Sequence, residues 1–93
     1  MLAKFPIDLD KVDAEYTDKE ILRAGLIAEL DAINFYEQLA EKTENKIIKK
    51  VLLDVAKEEK EHVGEFETLL LKEDPEQVEE MEEGKEEVEE MMG

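Results

Sequence analysis

Two apolar seams constrain this chain more than any other feature of its sequence. Between residues 18 and 42, Leu22, Leu26, Glu29, Ile33, Tyr36 and Ala40 recur in alternating steps of four and three. Between residues 46 and 73 the same rule picks out Ile48, Leu52, Val55, Glu59, His62, Phe66 and Leu69. Such spacing lines up each set along one side of an α-helix and predicts two helices that pack through those sides. Yet ionisable groups interrupt both seams near the middle: Glu29 in the first, Glu59 and His62 in the second. A charge on a packing seam is costly unless it is paired or holds a metal.

Local signals set the boundaries. Thr17-Asp18-Lys19-Glu20 reads as a capping box, with Thr17 as N-cap of a helix over 18–42. Thr43-Glu44-Asn45 is the expected turn, and a second helix follows over 46–73. Asp74 and Pro75 then predict a stop and a new start, with Asp74 capping a third helix over 75–92. Residues 1–16 hold Pro6 and no sustained period, so they read as an N-terminal arm with one helical turn near 8–13. The chain thus divides into the arm 1–16, a helical hairpin 17–73 and an acidic C-terminal helix 74–93. From Glu73 to Gly93, eleven acids against Lys85 alone give a local charge of −10. The apolar residues there are too few for an independent fold, so this helix either docks on something or stays partly disordered.

The turn supplies a geometric test of the interrupted seams. In an antiparallel hairpin centred near residue 44, residues equidistant from the turn lie at one height. Glu29 and Glu59 are each fifteen residues away, and His62 is one turn beyond Glu59 on the same side. Two carboxylates and an imidazole therefore converge between apolar layers of Leu26, Ile33, Val55 and Phe66. Imidazole and carboxylate suit iron, manganese or zinc, and the carboxylates offset the cation's charge. One chain supplies three ligands. Four-helix carboxylate sites take a Glu from each of two helices and Glu-x-x-His from each of two others. This sequence encodes half of such a bundle, and a two-fold homodimer would complete a two-metal site.

Size points the same way. Ninety-three residues that are 43% charged and 5% aromatic form one small all-α domain with little private core. The net charge of −16 argues against nucleic acid and anionic membrane partners and favours cations or a basic partner surface. The absence of Cys removes disulfides and thiolate metal sites. No stretch approaches the length of an apolar membrane span, so an intracellular, cytoplasmic location is the default expectation.

Residues 20–73, in particular AGLIAELDAINFYEQLA and KKVLLDVAKEEKEHVGEFETLL, resemble the encapsulated ferritins. These are short ferritin-like proteins carried inside, or fused to, encapsulin nanocompartment shells. The resemblance implies half of a ferritin-like four-helix bundle, completed by dimerisation, and a ring-shaped homodecamer of five dimers. It implies a di-iron ferroxidase centre with Glu29, Glu59 and His62 as ligands, Glu59 bridging, and Tyr36 beside the irons. Zn, Mn or Ca could stand in for Fe. It also implies Asp31 as an accessory carboxylate for metal access. Ala28 departs from the family where another such carboxylate would stand, and Phe35 occupies a position where the family often has Trp. The partner implied is the encapsulin shell, and the place is inside it. Glu58, Glu61 and Glu65 read as solvated, and no basic extended tail like a shell-docking peptide is seen after Gly93. The chain is therefore read as the front of a shell fusion, a trimmed form or a stand-alone protein.

Two other readings compete. A rubrerythrin-like di-metal peroxidase would use the same ligands, but the sequence holds no Cys₄ module to deliver electrons. A non-catalytic acidic helical adaptor would dimerise and bind metal incidentally.

Overall fold

A computed structural model describes residue 10 and residues 17–93. It consists of three helices, α1 (Thr17–Lys42), α2 (Lys46–Glu73) and α3 (Pro75–Met92), with no strand among the described residues. The all-α expectation holds, and the expected arm with its turn near 8–13 lies almost wholly outside the described residues. α1 begins at Thr17, one residue before the expected start, and Glu20 lies 3.5 Å from Arg23 one turn on. Asn45 caps α2: its Oδ1 accepts from the backbone N–H groups of Ile47 at 2.9 Å and Ile48 at 3.1 Å. This cap satisfies donors that a helix start leaves without partners.

α1 and α2 pack antiparallel over their length, whereas α3 meets only α2, near its start. Buried apolar side chains are few: Ile33 and Ala40 in α1, Ala56 and Leu70 in α2. The line of contact on α2 thus runs through Ala56 and Leu70, with half-buried Val63 midway at seven-residue spacing. The expected α2 seam lies beside that line, not on it. Ile48 and Leu69 are 49% and 50% exposed, and Val55, Glu59, His62 and Phe66 are half-buried. The reason is geometric. Residues 48, 55, 62 and 69 lie about 80–140° round the helix from Ala56, so α1 covers only one flank of that stripe.

The molecule is open. Its radius of gyration is 16.5 Å, whereas a compact chain of this length would have about 12 Å. Its extents of 46 × 44 × 19 Å describe a slab one or two helices thick, with α3 running out from the hairpin. Asp74 holds that corner. Its carboxylate caps α3 by accepting from Gln77 N–H at 3.2 Å, and it takes a 2.9 Å ion pair from Arg23 of α1. None of the helices is long and apolar enough to cross a membrane.

Candidate metal centre

Glu29 reaches the open side of the hairpin from the middle of α1, and Glu59 and His62 reach it from the middle of α2. One ligand atom from each lies within 4.8 Å of the others, as the equal distance from the turn predicts. His62 Nδ1 is 3.3 Å from Glu59 Oε2 and 3.4 Å from Glu29 Oε2. Only one of these can be a hydrogen bond at a time, because Nδ1 carries at most one proton. Glu59 has the geometry to accept it. Glu29 Oε2 is left buried with no hydrogen-bond partner, although it sits at ion-pair distance from the ring.

An unpartnered buried carboxylate oxygen is expensive for a fold to keep. Here it is one of three donors turned toward a common point, and both carboxylates are largely shielded, with 17% and 20% of their side chains exposed. A divalent cation would relieve the mismatch by accepting lone pairs from all three. The donor set fits a hard or borderline metal such as iron. It also leaves coordination positions open, which a second set of ligands or an oxidant could fill.

The surroundings follow the seam. An open cavity of about 380 Å³ lies beside the group, lined by Glu29, His62, Glu65, Phe66 and Leu69. Glu65 is exposed, as expected for a solvated residue, yet it stands on the rim of this cavity. Glu58 and Glu61 are exposed and outside the group. Tyr36 is half-buried two turns beyond Glu29, with its ring edge-on to Phe35 at a centroid distance of 5.3 Å. Asp31 falls about 200° round α1 from Glu29 and is not a member of the group of three.

Sequence reasoning missed two parts of this neighbourhood. One is the Arg23–Asp74 pair, since no spacing rule relates residues 51 positions apart. The other is Gly25, whose signal was present. A glycine inside a helical pattern weakens the helix and asks for a reason.

A helical hairpin with Glu on one arm and Glu-x-x-His on the other, open where a further pair of helices would sit, belongs to the ferritin-like class. The rubrerythrin family model matches residues 20–92, and the chain belongs to that family. The resemblance to encapsulated ferritins is also shown. The chain is 54% identical to the encapsulated ferritin domain from Pyrococcus furiosus, whose crystal structure it matches with a TM-score of 0.82 over 97% of this chain and 94% of that one. It is 58% identical over 84 residues to the ferritin-like-encapsulin shell fusion protein of Pyrococcus furiosus. It is 41% identical over 69 residues to the encapsulin nanocompartment cargo protein EncC of Myxococcus xanthus. These matches cover 87% and 71% of the chain but only 24% and 53% of the two relatives.

Proposed function

We propose that two copies of this chain join their open faces and form a ferroxidase centre, where Fe(II) is oxidised by O₂ for storage inside an encapsulin compartment. The observation that carries this reading is the buried, unpartnered Glu29 oxygen turned toward Glu59 and His62. Three donors are too few to saturate one iron, and the flank that holds them is uncovered. A second copy related by a two-fold axis would bring four carboxylates and two imidazoles to a pair of Fe(II) ions. The number of copies in the full assembly, a ring of five dimers in our reading, follows from kinship with encapsulated ferritins.

In this centre Fe(II) is the substrate. Glu29 and Glu59 bind it as anions and favour the more highly charged Fe(III), which makes each iron easier to oxidise. His62 would bind through a ring nitrogen, the usual mode of a histidine metal ligand. Glu59 is assigned the bridging role, as the resemblance to encapsulated ferritins implies. Each of two irons gives one electron to the same O₂, which with two protons leaves as hydrogen peroxide. Tyr36 and Asp31 are assigned supporting roles, beside the irons and on the approach of cations.

A second reading is a peroxidase, favoured by the match to the rubrerythrin family. It would use the same ligands but take hydrogen peroxide as oxidant. Rapid mixing of the Fe(II)-loaded protein with O₂ or, without air, with hydrogen peroxide separates the two. Ferroxidase activity requires oxidation by O₂ at least as fast as by peroxide. If peroxide reacts far faster, the peroxidase reading stands. If neither rate depends on Glu59 and His62, both readings fail.

A further inference from the structure

The metal group has a neighbour that none of the expected ligand roles explains. Gly25 and Glu29 are one turn apart on α1, and His62 and Phe66 are one turn apart on α2. The Phe66 ring lies in the notch that Gly25 leaves open. A Cβ at position 25 would fall 2.9 Å from Phe66 Cε1, 3.0 Å from Cδ1 and 3.1 Å from Cζ. The first contact is shorter than real Cβ atoms make and the other two are tight, so a side chain at 25 requires the Phe66 ring to shift away from α1 by at least a few tenths of an ångström. Gly64 on α2 is different, since a Cβ there would meet nothing within 4 Å.

The direction in which the ring can move is limited. α1 lies behind it, and the open cavity of about 380 Å³ lies beside it, lined also by Glu29, His62, Glu65 and Leu69. A ring shifted away from α1 moves toward the space on which the metal group opens. An apolar ring there would sit where a cation's remaining ligands must come. It would also press on His62, to which it is joined through one turn of α2.

We propose that Gly25 is a positioning residue of the metal centre: its missing side chain parks the Phe66 ring against α1 and keeps the space beside Glu29 and His62 open to a cation. The inference rests on the proposed metal-binding role of those residues and adds a reason for the helix-weakening glycine at 25. The notch acts on binding through Phe66, so shrinking the ring must cancel the effect of filling the notch.

His62 is the single histidine of the chain, so its imidazole resonances report on the site without ambiguity. Zn²⁺ is titrated into ¹⁵N-labelled full chain, and those resonances are followed together with the chain's thermal unfolding. In Gly25→Ala, half-saturation should need at least about tenfold more Zn²⁺ than in wild type, the size of effect seen when support of a ligand is lost. Phe66→Leu and the double variant Gly25→Ala/Phe66→Leu should both titrate within about threefold of wild type. If Gly25→Ala binds Zn²⁺ as wild type does while changing only the unfolding temperature, the residue is merely structural and the proposal falls. It falls as well if the double variant remains as weak as Gly25→Ala. Should Gly25→Ala not fold, Phe66→Trp carries the test, because a larger ring overfills an intact notch. It must weaken Zn²⁺ binding by about fivefold or more, and wild-type binding by Phe66→Trp overturns the idea. A wild-type chain whose His62 signals ignore Zn²⁺ overturns the metal centre itself, and the positioning role goes with it.

Discussion

The hairpin and α3 are both fully helical, yet they are held by different forces. α1 and α2 bury Ile33, Ala40, Ala56 and Leu70 between them and set three ligand donors within 4.8 Å of one another. α3 buries no residue at all, carries apolar residues that are mostly exposed, and shares little surface with the hairpin. What α3 has is a start signal, Asp74 with Pro75 at its first turn, and the ion pair from Asp74 to Arg23. Helical stability in proteins comes mostly from tertiary packing, of which α3 has little, and many like charges along it weaken it further. Packing fixes side chains in the hairpin, which therefore holds the candidate site, whereas α3 is left exposed.

Removing charges from each region in turn tests this contrast directly. If the proposed centre is right, Glu59→Ala or His62→Ala should lower the rate of Fe(II) oxidation by about 100-fold or more, since each removes a proposed ligand and not merely its support. Glu83→Gln with Glu87→Gln on α3 should leave that rate within about twofold, because general negative potential adds little at physiological salt. Absorbance after aerobic Fe(II) addition measures both. If the α3 pair costs as much as a ligand, the acidic helix belongs to the site and the contrast collapses.

Packing offers a second comparison. Leu70→Ala should destabilise the chain by about 2–5 kcal/mol, the usual range for a buried leucine. Met91, 83% exposed, should tolerate Ala within about 0.5 kcal/mol. Urea unfolding followed by circular dichroism gives both values at one protein concentration. A large effect at Met91 would mean that α3 is covered in solution and that the single chain understates its packing.

The expected fold was legible because the signals were local. Apolar steps of three and four, Asn45 in the turn and Asp74-Pro75 all act within a few residues, and the helices follow them closely. The convergence of Glu29, Glu59 and His62 was legible too, since a short turn makes register a matter of counting. The angular placement of the seam was not. Spacing shows that 48, 55, 62 and 69 share a stripe but not which flank of it a single neighbour covers. Ala56, small and unremarkable in the sequence, proves as deeply buried as Ala40, at 2% exposed. Arg23 and Asp74 were hidden as well, being brought together by tertiary geometry alone.

That corner gives a pH test joining the two regions. The Gln77 N–H bonded to Asp74 and the Arg23 guanidinium beside it hold its carboxyl below the usual carboxylate range, and partial burial opposes them. A carboxyl whose pKa is lower folded than unfolded stabilises the fold above its unfolded value, about 3.9. That contribution is lost as pH falls through the lower, folded value. Asp74→Asn should therefore cost stability at neutral pH, and the gap to wild type should close only below pH about 4. Loss should show first in the ellipticity contributed by α3. A gap that persists unchanged into strong acid would assign the cost to packing and not to the charge.

The smallest expected effect concerns the two glycines of the hairpin, and it asks whether the chain is complete as one copy. Gly25 is filled by a neighbour, whereas Gly64 faces open space in a helix interior. In a lone hairpin, Gly64→Ala should stabilise by about 0.5–1 kcal/mol, because alanine restricts the unfolded chain and meets nothing when folded. Gly64 lies on the flank of α2 that carries Lys60 and Glu67, away from the stripe that bears Glu59 and His62. Joining two copies through the metal face would leave it free. Dilution separates the cases: at a concentration where the protein is monomeric the gain should appear, and on assembly it should persist if that flank stays open. A gain that turns into a loss as the protein assembles would mean that another backbone comes close at Gly64. The hairpin would then use both of its flanks, one for metal and one for a second contact that needs the glycine.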